Sequence, residues 1–125
     1  RIGIMVEQIT TFEQLNRIFM DDDKGNVSRL IVIDFSAEWC GPCKVIAPHF
    51  EILAQKYSAV EFYKIDINNK ELKDFCGFCK IGPIPCFCFF MNGEHVDRVV
   101  GADIVAVENM IIHKFFSHNT QSMQL

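Results

Sequence analysis

The sequence has no apolar run approaching the ~20 residues of a membrane-spanning helix, and its N-terminus lacks the basic-then-apolar pattern of a secretory leader. It also lacks a basic surplus. Twelve Lys and Arg stand against 16 Asp and Glu, for a net charge of −4, so no footprint for nucleic acid or an anionic membrane is expected. Linker-like stretches, internal repeats and low-complexity segments are absent, which leaves one domain over residues 1–125 as the expectation. The chain begins at Arg1 with no methionine, so a preceding segment stays open. Apolar residues are not scarce: half the chain is hydrophobic, twelve residues are Phe and 22% are charged. A chain of this length and composition buries a core without disulfide staples. The six cysteines are therefore expected as thiols in a reducing compartment, the cytoplasm, with one redox-active pair.

That pair stands in Trp39-Cys40-Gly41-Pro42-Cys43. Upstream, Leu30-Ile31-Val32-Ile33-Asp34-Phe35 is a nearly continuous apolar run, which suits a strand buried on both faces of a parallel sheet. Downstream, Lys44 to Tyr57 places Val45, Ile46, Phe50, Ile52, Leu53 and Tyr57 at helical spacings. The two cysteines thus fall where a central strand ends and a helix begins, the place where open α/β sheets form ligand crevices. There Cys40 lies near helix N–H groups that lack intrahelical partners and favour a negative sulfur. Cys40 is the expected nucleophile. Cys43, one turn further in, is expected to be more buried and to resolve a mixed disulfide. Pro42 occupies the first turn, where its missing N–H costs little.

The rest of the chain places this stretch in a fold. Ile2 to Ile9 reads as an edge strand. Thr10-Thr11 then offers an N-cap, with Glu13 or Gln14 completing a capping box, and Phe12, Leu15 and Phe19 form the apolar stripe of a helix. Asp21 to Asn26 ends that helix as a solvated loop; the later ligands of a calcium loop are missing. Ala59 to Ile67 reads as a strand, and Asn68 to Phe75 as a short helix ending near Gly77. Cys86 to Phe90 and His95 to Val100 are strands joined by the hairpin signal Asn92-Gly93. The last helix starts at Asp103, with Ile104, Val107, Ile111 and Phe115 on one face. The order βαβαβαββα predicts an α/β fold with a central mixed sheet, one antiparallel hairpin strand, and helices on both faces.

The segment Asp34-Phe35-Ser36-Ala37-Glu38-Trp39-Cys40-Gly41-Pro42-Cys43-Lys44 resembles the active-site signature of the thioredoxin family, and nearly the whole chain takes part in the resemblance. Pro48 is similar to the proline that kinks the family's second helix, Lys64 to the lysine near the buried aspartate, Ile84-Pro85 to the cis-proline loop facing the dithiol, and Val100-Gly101-Ala102 to the loop closing the substrate groove. The resemblance implies the thioredoxin fold and a dithiol–disulfide oxidoreductase that reduces disulfide-containing client proteins. It also implies a monomer with no tightly bound cofactor, re-reduced by a thioredoxin reductase that draws on NADPH. The chain departs from the commonest family pattern at Ser36, Pro83 and Cys86, of which the last two lie in the groove-forming loop and bear on partner preference.

Several residues carry the expected chemistry. An aspartate inside a buried apolar run is costly as a charge, so the Asp34 pKa should rise, making it a candidate general base for the Cys43 proton, with Lys64 tempering its charge. Its plainer reading is a cap on the adjacent helix. Trp39 reads either as a core aromatic or as the wall of a substrate surface, which Gly41, Pro42, Ile67, Ile84, Pro85, Val100, Gly101 and Ala102 would complete. An apolar patch with free backbone groups suits an extended polypeptide. Cys76 and Cys79 repeat the C-x2-C spacing and admit three readings: regulatory thiols, packing thiols, or half of a zinc site shared with Cys40 and Cys43. No metal is expected, and His49, His95, His113 and His118 form no ligand-like cluster. Alternatives to the reductase are a thioredoxin-like interaction module that holds a partner and a disulfide isomerase. The intact Cys40, Cys43, Asp34 and Pro85 argue against the first, and Pro42 between the cysteines against the second.

Overall fold

The computed structural model describes residues 5–20 and 29–116. Ile2, at the expected start of the first strand, the Asp21–Asn26 run and His118 lie outside them.

The elements are β1 (Val6–Gln8), α1 (Phe12–Met20), β2 (Leu30–Ser36), α2 (Gly41–Lys56), β3 (Glu61–Asp66), α3 (Lys73–Phe78), β4 (Cys86–Met91), β5 (Glu94–Val100) and α4 (Ile104–Ile111). A 3₁₀ turn, Lys70–Leu72, leads into α3, and a π-helical turn, Ile112–Phe116, follows α4. This is the βαβαβαββα order expected from the sequence. The sheet order is β1-β3-β2-β4-β5. β1 and β2 run parallel to β3, and β4 runs antiparallel to both β2 and β5. The central strand is therefore β2, which is buried along its whole length, as its unbroken apolar run requires.

Side-chain alternation divides the core in two. Leu30, Val32, Phe87 and Phe89 face α2 and α4 and pack with Ile46, Phe50, Leu53, Val107 and Ile111. Ile31, Ile33, Phe35, Cys86, Cys88 and Phe90 face the opposite layer, with Leu15 of α1, Leu72 and Cys79. Phe50 anchors the first layer, its ring centroid 5.2 Å from those of both Phe62 and Phe87. Each such fully buried side chain is worth about 1.5–3 kcal/mol relative to exposure. Asp34 has the parity of Val32, so its carboxyl lies on the α2 face of the sheet.

The termini of the elements follow local chemistry. Thr11 Oγ1 accepts from the Gln14 N–H at 3.0 Å, while Gln14 Oε1 accepts from the Thr10 N–H at 2.9 Å, a reciprocal cap on α1. Asp103 caps α4 by accepting from the Ala106 N–H at 3.0 Å. Asn92 and Gly93 both have positive φ, 53° and 78°, the geometry that a two-residue hairpin with matched twist demands.

Three expectations shift. α2 begins at Gly41 with Cys40 as its cap and Pro42 in its first turn, as expected, but its buried face differs from the expected one. Its stripe is Cys43, Ile46, Phe50, Leu53 and Ala54, and this register turns Val45 and Ile52 outward, 70% and 57% exposed. In α1, Leu15 and Phe19 face inward but Phe12 is exposed. The short helix expected over Asn68–Phe75 lies later, and Gly77 is inside it. α3 closes in a Schellman turn: Ile81 N–H donates to the Cys76 carbonyl at 3.1 Å and Lys80 N–H to the Gly77 carbonyl at 3.0 Å, with Lys80 at φ 55° as the left-handed residue.

Candidate functional site

The strand-to-helix junction that carries Cys40 is made by three short segments. After β2, the Cys40 N–H donates to the Ala37 carbonyl at 3.2 Å, closing a turn, and α2 starts immediately. Cys40 is the N-cap of α2, with extended φ −91° and ψ 109°. Its Sγ accepts from the Cys43 N–H at 3.2 Å, so one of the orphan amides of the first turn is spent on sulfur. Cys40 and Cys43 are joined as a disulfide across a Cα–Cα distance of 5.3 Å. Both are largely covered: Cys40 is 5% exposed and Cys43 2%. They pack with Ala37, Ile67 and Ile84.

The cover comes from a loop far away in sequence. The Ile84–Pro85 peptide bond is cis, and the Ile84 carbonyl oxygen stands 3.9 Å from Cys40 Sγ. The Gly101 N–H donates to the Pro85 carbonyl at 2.8 Å, stitching the turn after β5 to the proline loop. Gly101 adopts φ 104°, which side-chain-bearing residues rarely adopt. Trp39, 68% exposed, Gly41, Pro42, Val100 and Ala102 lie at the surface, while Ile67 and Ile84 are half-buried and Pro85 is buried. Ile67, Ile84, Pro85 and Gly101 are thus brought to the dithiol by direct contact or by hydrogen bonding through the loop. Trp39, Gly41 and Pro42 adjoin it in sequence, with Trp39 exposed and not a core aromatic.

Behind the dithiol, Asp34 is 1% exposed and its Oδ1 has no hydrogen-bond partner among the described residues. Burial pushes its pKa from 3.8 up to about 7, against the opposing pull of the Lys64 ammonium. Asp34 and Lys64 are register partners in the parallel β2–β3 ladder, which explains why the lysine is the nearby cation. A cleft of about 520 Å³, lined by Gln8, Ser36, Cys43, Lys44, Lys64 and Asp66 among others, opens beside Cys43 and Lys64. It offers water a route to the inner face of the dithiol.

Cys76 and Cys79 lie in the other core layer, with Cys86 and Cys88, so the two C-x2-C pairs do not assemble four thiolates around a zinc ion. Among the described residues, no three or more His, Cys, Asp or Glu are grouped to hold a metal, and no helix is long and apolar enough to cross a membrane. His49 and His113 are exposed, and His95 packs its ring 4.9 Å from that of Phe90. Arg98 escaped the sequence reading. Its guanidinium donates to the carbonyls of Cys79 and Lys80 and lies 4.0 Å from Cys86 Sγ. Counting on from Asn92-Gly93 would place it opposite Phe87, but a bulge between Phe89 and Phe90 shifts the register by one and sets it opposite Cys88.

The comparisons agree with this geometry. The sequence profile of the thioredoxin family matches residues 13–113. Thioredoxin-2 of Saccharomyces cerevisiae is 37% identical over 107 residues, covering 86% of this chain and 96% of that protein. An H-type thioredoxin of Fagopyrum esculentum is 41% identical over 90 residues, 72% of each. The crystal structure of Schistosoma mansoni thioredoxin superimposes with a TM-score of 0.77 at 36% identity, covering 90% of this chain and 99% of that one.

Proposed function

The chain belongs to the thioredoxin family and is a protein-disulfide oxidoreductase by that membership, and on this premise we propose that Cys40 attacks the disulfides of client proteins and Cys43 resolves the product. The observation that carries the assignment of roles is the N-cap position of Cys40, with the Cys43 amide directed at its sulfur. An N–H donor and the positive end of α2 stabilise a thiolate there and nowhere else on the pair.

Cys40 thiolate attacks one client sulfur; the client S–S bond breaks and its other sulfur leaves as a thiolate. The Cys43 proton passes, through water in the cleft beside it, towards the Asp34 carboxylate, whose raised pKa suits proton exchange near neutrality. Lys64 positions and tempers that carboxylate. Cys43 thiolate attacks Cys40 Sγ, expels the second client thiolate and forms the Cys40–Cys43 disulfide. Two electrons have moved from the protein to the client. A thioredoxin reductase, fed by NADPH, returns them.

Clients are held as extended segments over Trp39, Gly41, Pro42, Ile67, Ile84, Pro85 and Val100 to Ala102. No tightly bound cofactor or metal enters these steps. The protein works as a monomer in the cytoplasm, where the four cysteines outside the active pair stay as thiols. Turnover of insulin in the presence of NADPH and a thioredoxin reductase tests the reading. NADPH consumption that requires both the chain and insulin supports it, and none above the reductase alone rejects it.

A further inference from the structure

Five of the twelve phenylalanines converge on one cavity at the end of the sheet away from the dithiol. It measures about 690 Å³, inside the range usual for small-molecule pockets. α1 supplies Phe12, Leu15 and Phe19, α3 supplies Phe75 and Phe78, and β4 supplies Phe90. Beyond the Asn92-Gly93 turn, Glu94 and His95 of β5 complete it. We propose that this cavity is a second binding site, for a small organic cation whose flat aromatic body packs among the phenylalanines while its ammonium group meets Glu94.

Helical spacing builds the walls. Phe12, Leu15 and Phe19 recur at three- and four-residue intervals and share one side of α1, and Phe75 and Phe78 are likewise one turn apart on α3. The rings hold one another in place. The Phe75 centroid lies 5.9 Å from that of Phe19, 6.1 Å from Phe90 and 6.5 Å from Phe78, with the last two ring planes only 28° and 19° from its own. Phe19 stands edge-on to Phe90 at 78°. A guest ring therefore meets both faces and edges, the offset and T-shaped arrangements that aromatic pairs prefer. Phe12 and Phe78 are 58% and 76% exposed, so much aromatic surface stays in water until a guest covers it, which is the driving force for binding.

Charge chooses the guest. Among the described residues of the lining, Glu94 alone is ionised at neutral pH. Burial, and then the Arg98 charge, lowers the His95 pKa, so its ring is neutral there and adds no cation. The guanidinium of Arg98 is itself spent on the carbonyls of Cys79 and Lys80. The faces of the phenylalanine rings are electronegative and attract a cation as well. An anion would be repelled by both, and a neutral guest would leave the carboxylate unused.

The cavity is separate from the client surface. From Cys86, beside Pro85, to Asn92 is six residues of extended chain, about 20 Å, so a guest here leaves Cys40 uncovered. Its binding is thus tested without reference to the redox reaction.

Tryptamine is the probe, and tryptophol, with a hydroxyl in place of the ammonium, is the neutral control; fragments of this size bind at about millimolar strength. Titrated into the unaltered chain at neutral pH, tryptamine should move the backbone amide resonances of residues 12–19, 75–78 and 92–95 saturably and leave those of 39–43 in place. It should bind about fivefold more tightly than tryptophol, the factor expected of an exposed charge contact joined to a cation–π contact. Glu94→Gln should reduce that preference to about twofold, the share of the ring faces, while tryptophol binds as before. Phe78→Ala and Phe12→Ala, on separate helices at exposed positions that carry little of the fold, should each weaken both probes about threefold. Absence of saturable shifts in these segments, or shifts centred on 39–43, would overturn the site. Equal affinity for the two probes, or a preference untouched by Glu94→Gln, would overturn the cationic guest. Unchanged binding in both phenylalanine variants would place the guest outside the cavity and overturn the proposal.

Discussion

The amide of Cys43 points at the sulfur of Cys40, 3.2 Å away, so the inner cysteine's backbone stabilises the outer cysteine's charge. A single helix turn therefore makes two chemically similar thiols unequal. Position at the N-cap, and not exposure, separates them, since both are at least nine-tenths buried.

Cys43→Ser should leave attack intact and block resolution, so clients accumulate as mixed disulfides on Cys40. Non-reducing electrophoresis of the variant incubated with oxidised clients reads this directly. Trapping by Cys40→Ser but not by Cys43→Ser would reverse the roles.

Asp34→Asn should change stability with a definite sign. The carboxyl deprotonates near 3.8 when unfolded but only near 7 when folded, so between these values the unfolded state holds fewer protons. Stability is then lost as pH rises from about 4 to about 7 and is level above that. A shift of about 3 units corresponds to at most about 4 kcal/mol. The asparagine variant should lack that decline and be more stable than the parent at pH 8 relative to pH 4, while client reduction slows near neutrality. Urea unfolding and a pH–rate profile measure both, and identical pH dependence in the two proteins would remove Asp34 from the proton transfer.

Gly101→Ala adds a Cβ with no atom within 4 Å of it, so any cost comes from φ 104° alone. A loss of about 1–3 kcal/mol is expected, together with weaker client binding because Gly101 N–H holds Pro85. A rise in KM for insulin larger than the fall in kcat should appear. Unchanged stability and KM would mean that the loop tolerates the residue.

Trp39→Ala removes a side chain that is two-thirds exposed, so unfolding free energy should move by less than about 0.5 kcal/mol. Reduction of protein clients should weaken while reduction of a small aromatic disulfide holds, because only the former needs the surface around the dithiol. Equal losses for both substrates would place Trp39 in the chemistry and not in client binding.

Much of this protein is written locally. The unbroken apolar run of β2, the helical spacing after Cys43, the Thr11–Gln14 cap and the Asn92-Gly93 turn each depend on neighbours a few residues away, and each was legible without coordinates. So was the redox pair, since Cys40 and Cys43 stand where an apolar strand run ends and helical spacing begins. The three-dimensional arrangement decided the rest. The packing around α2 left Val45 and Ile52 in solvent, since a stripe of apolar residues offers more than one face and only the partner sheet chooses. α3 runs through Gly77 to Phe78 and closes on Lys80 as the left-handed residue, because that residue is set by the hydrogen bonds of the turn, not by composition. The parity that puts Asp34 beneath α2, the cis bond that brings Ile84 to Cys40, and the Arg98 bridge across the thiol cluster all join residues distant in sequence. Such contacts exist only once the sheet has fixed its register, and a one-residue bulge in β5's pairing is enough to hide them from a count along the chain.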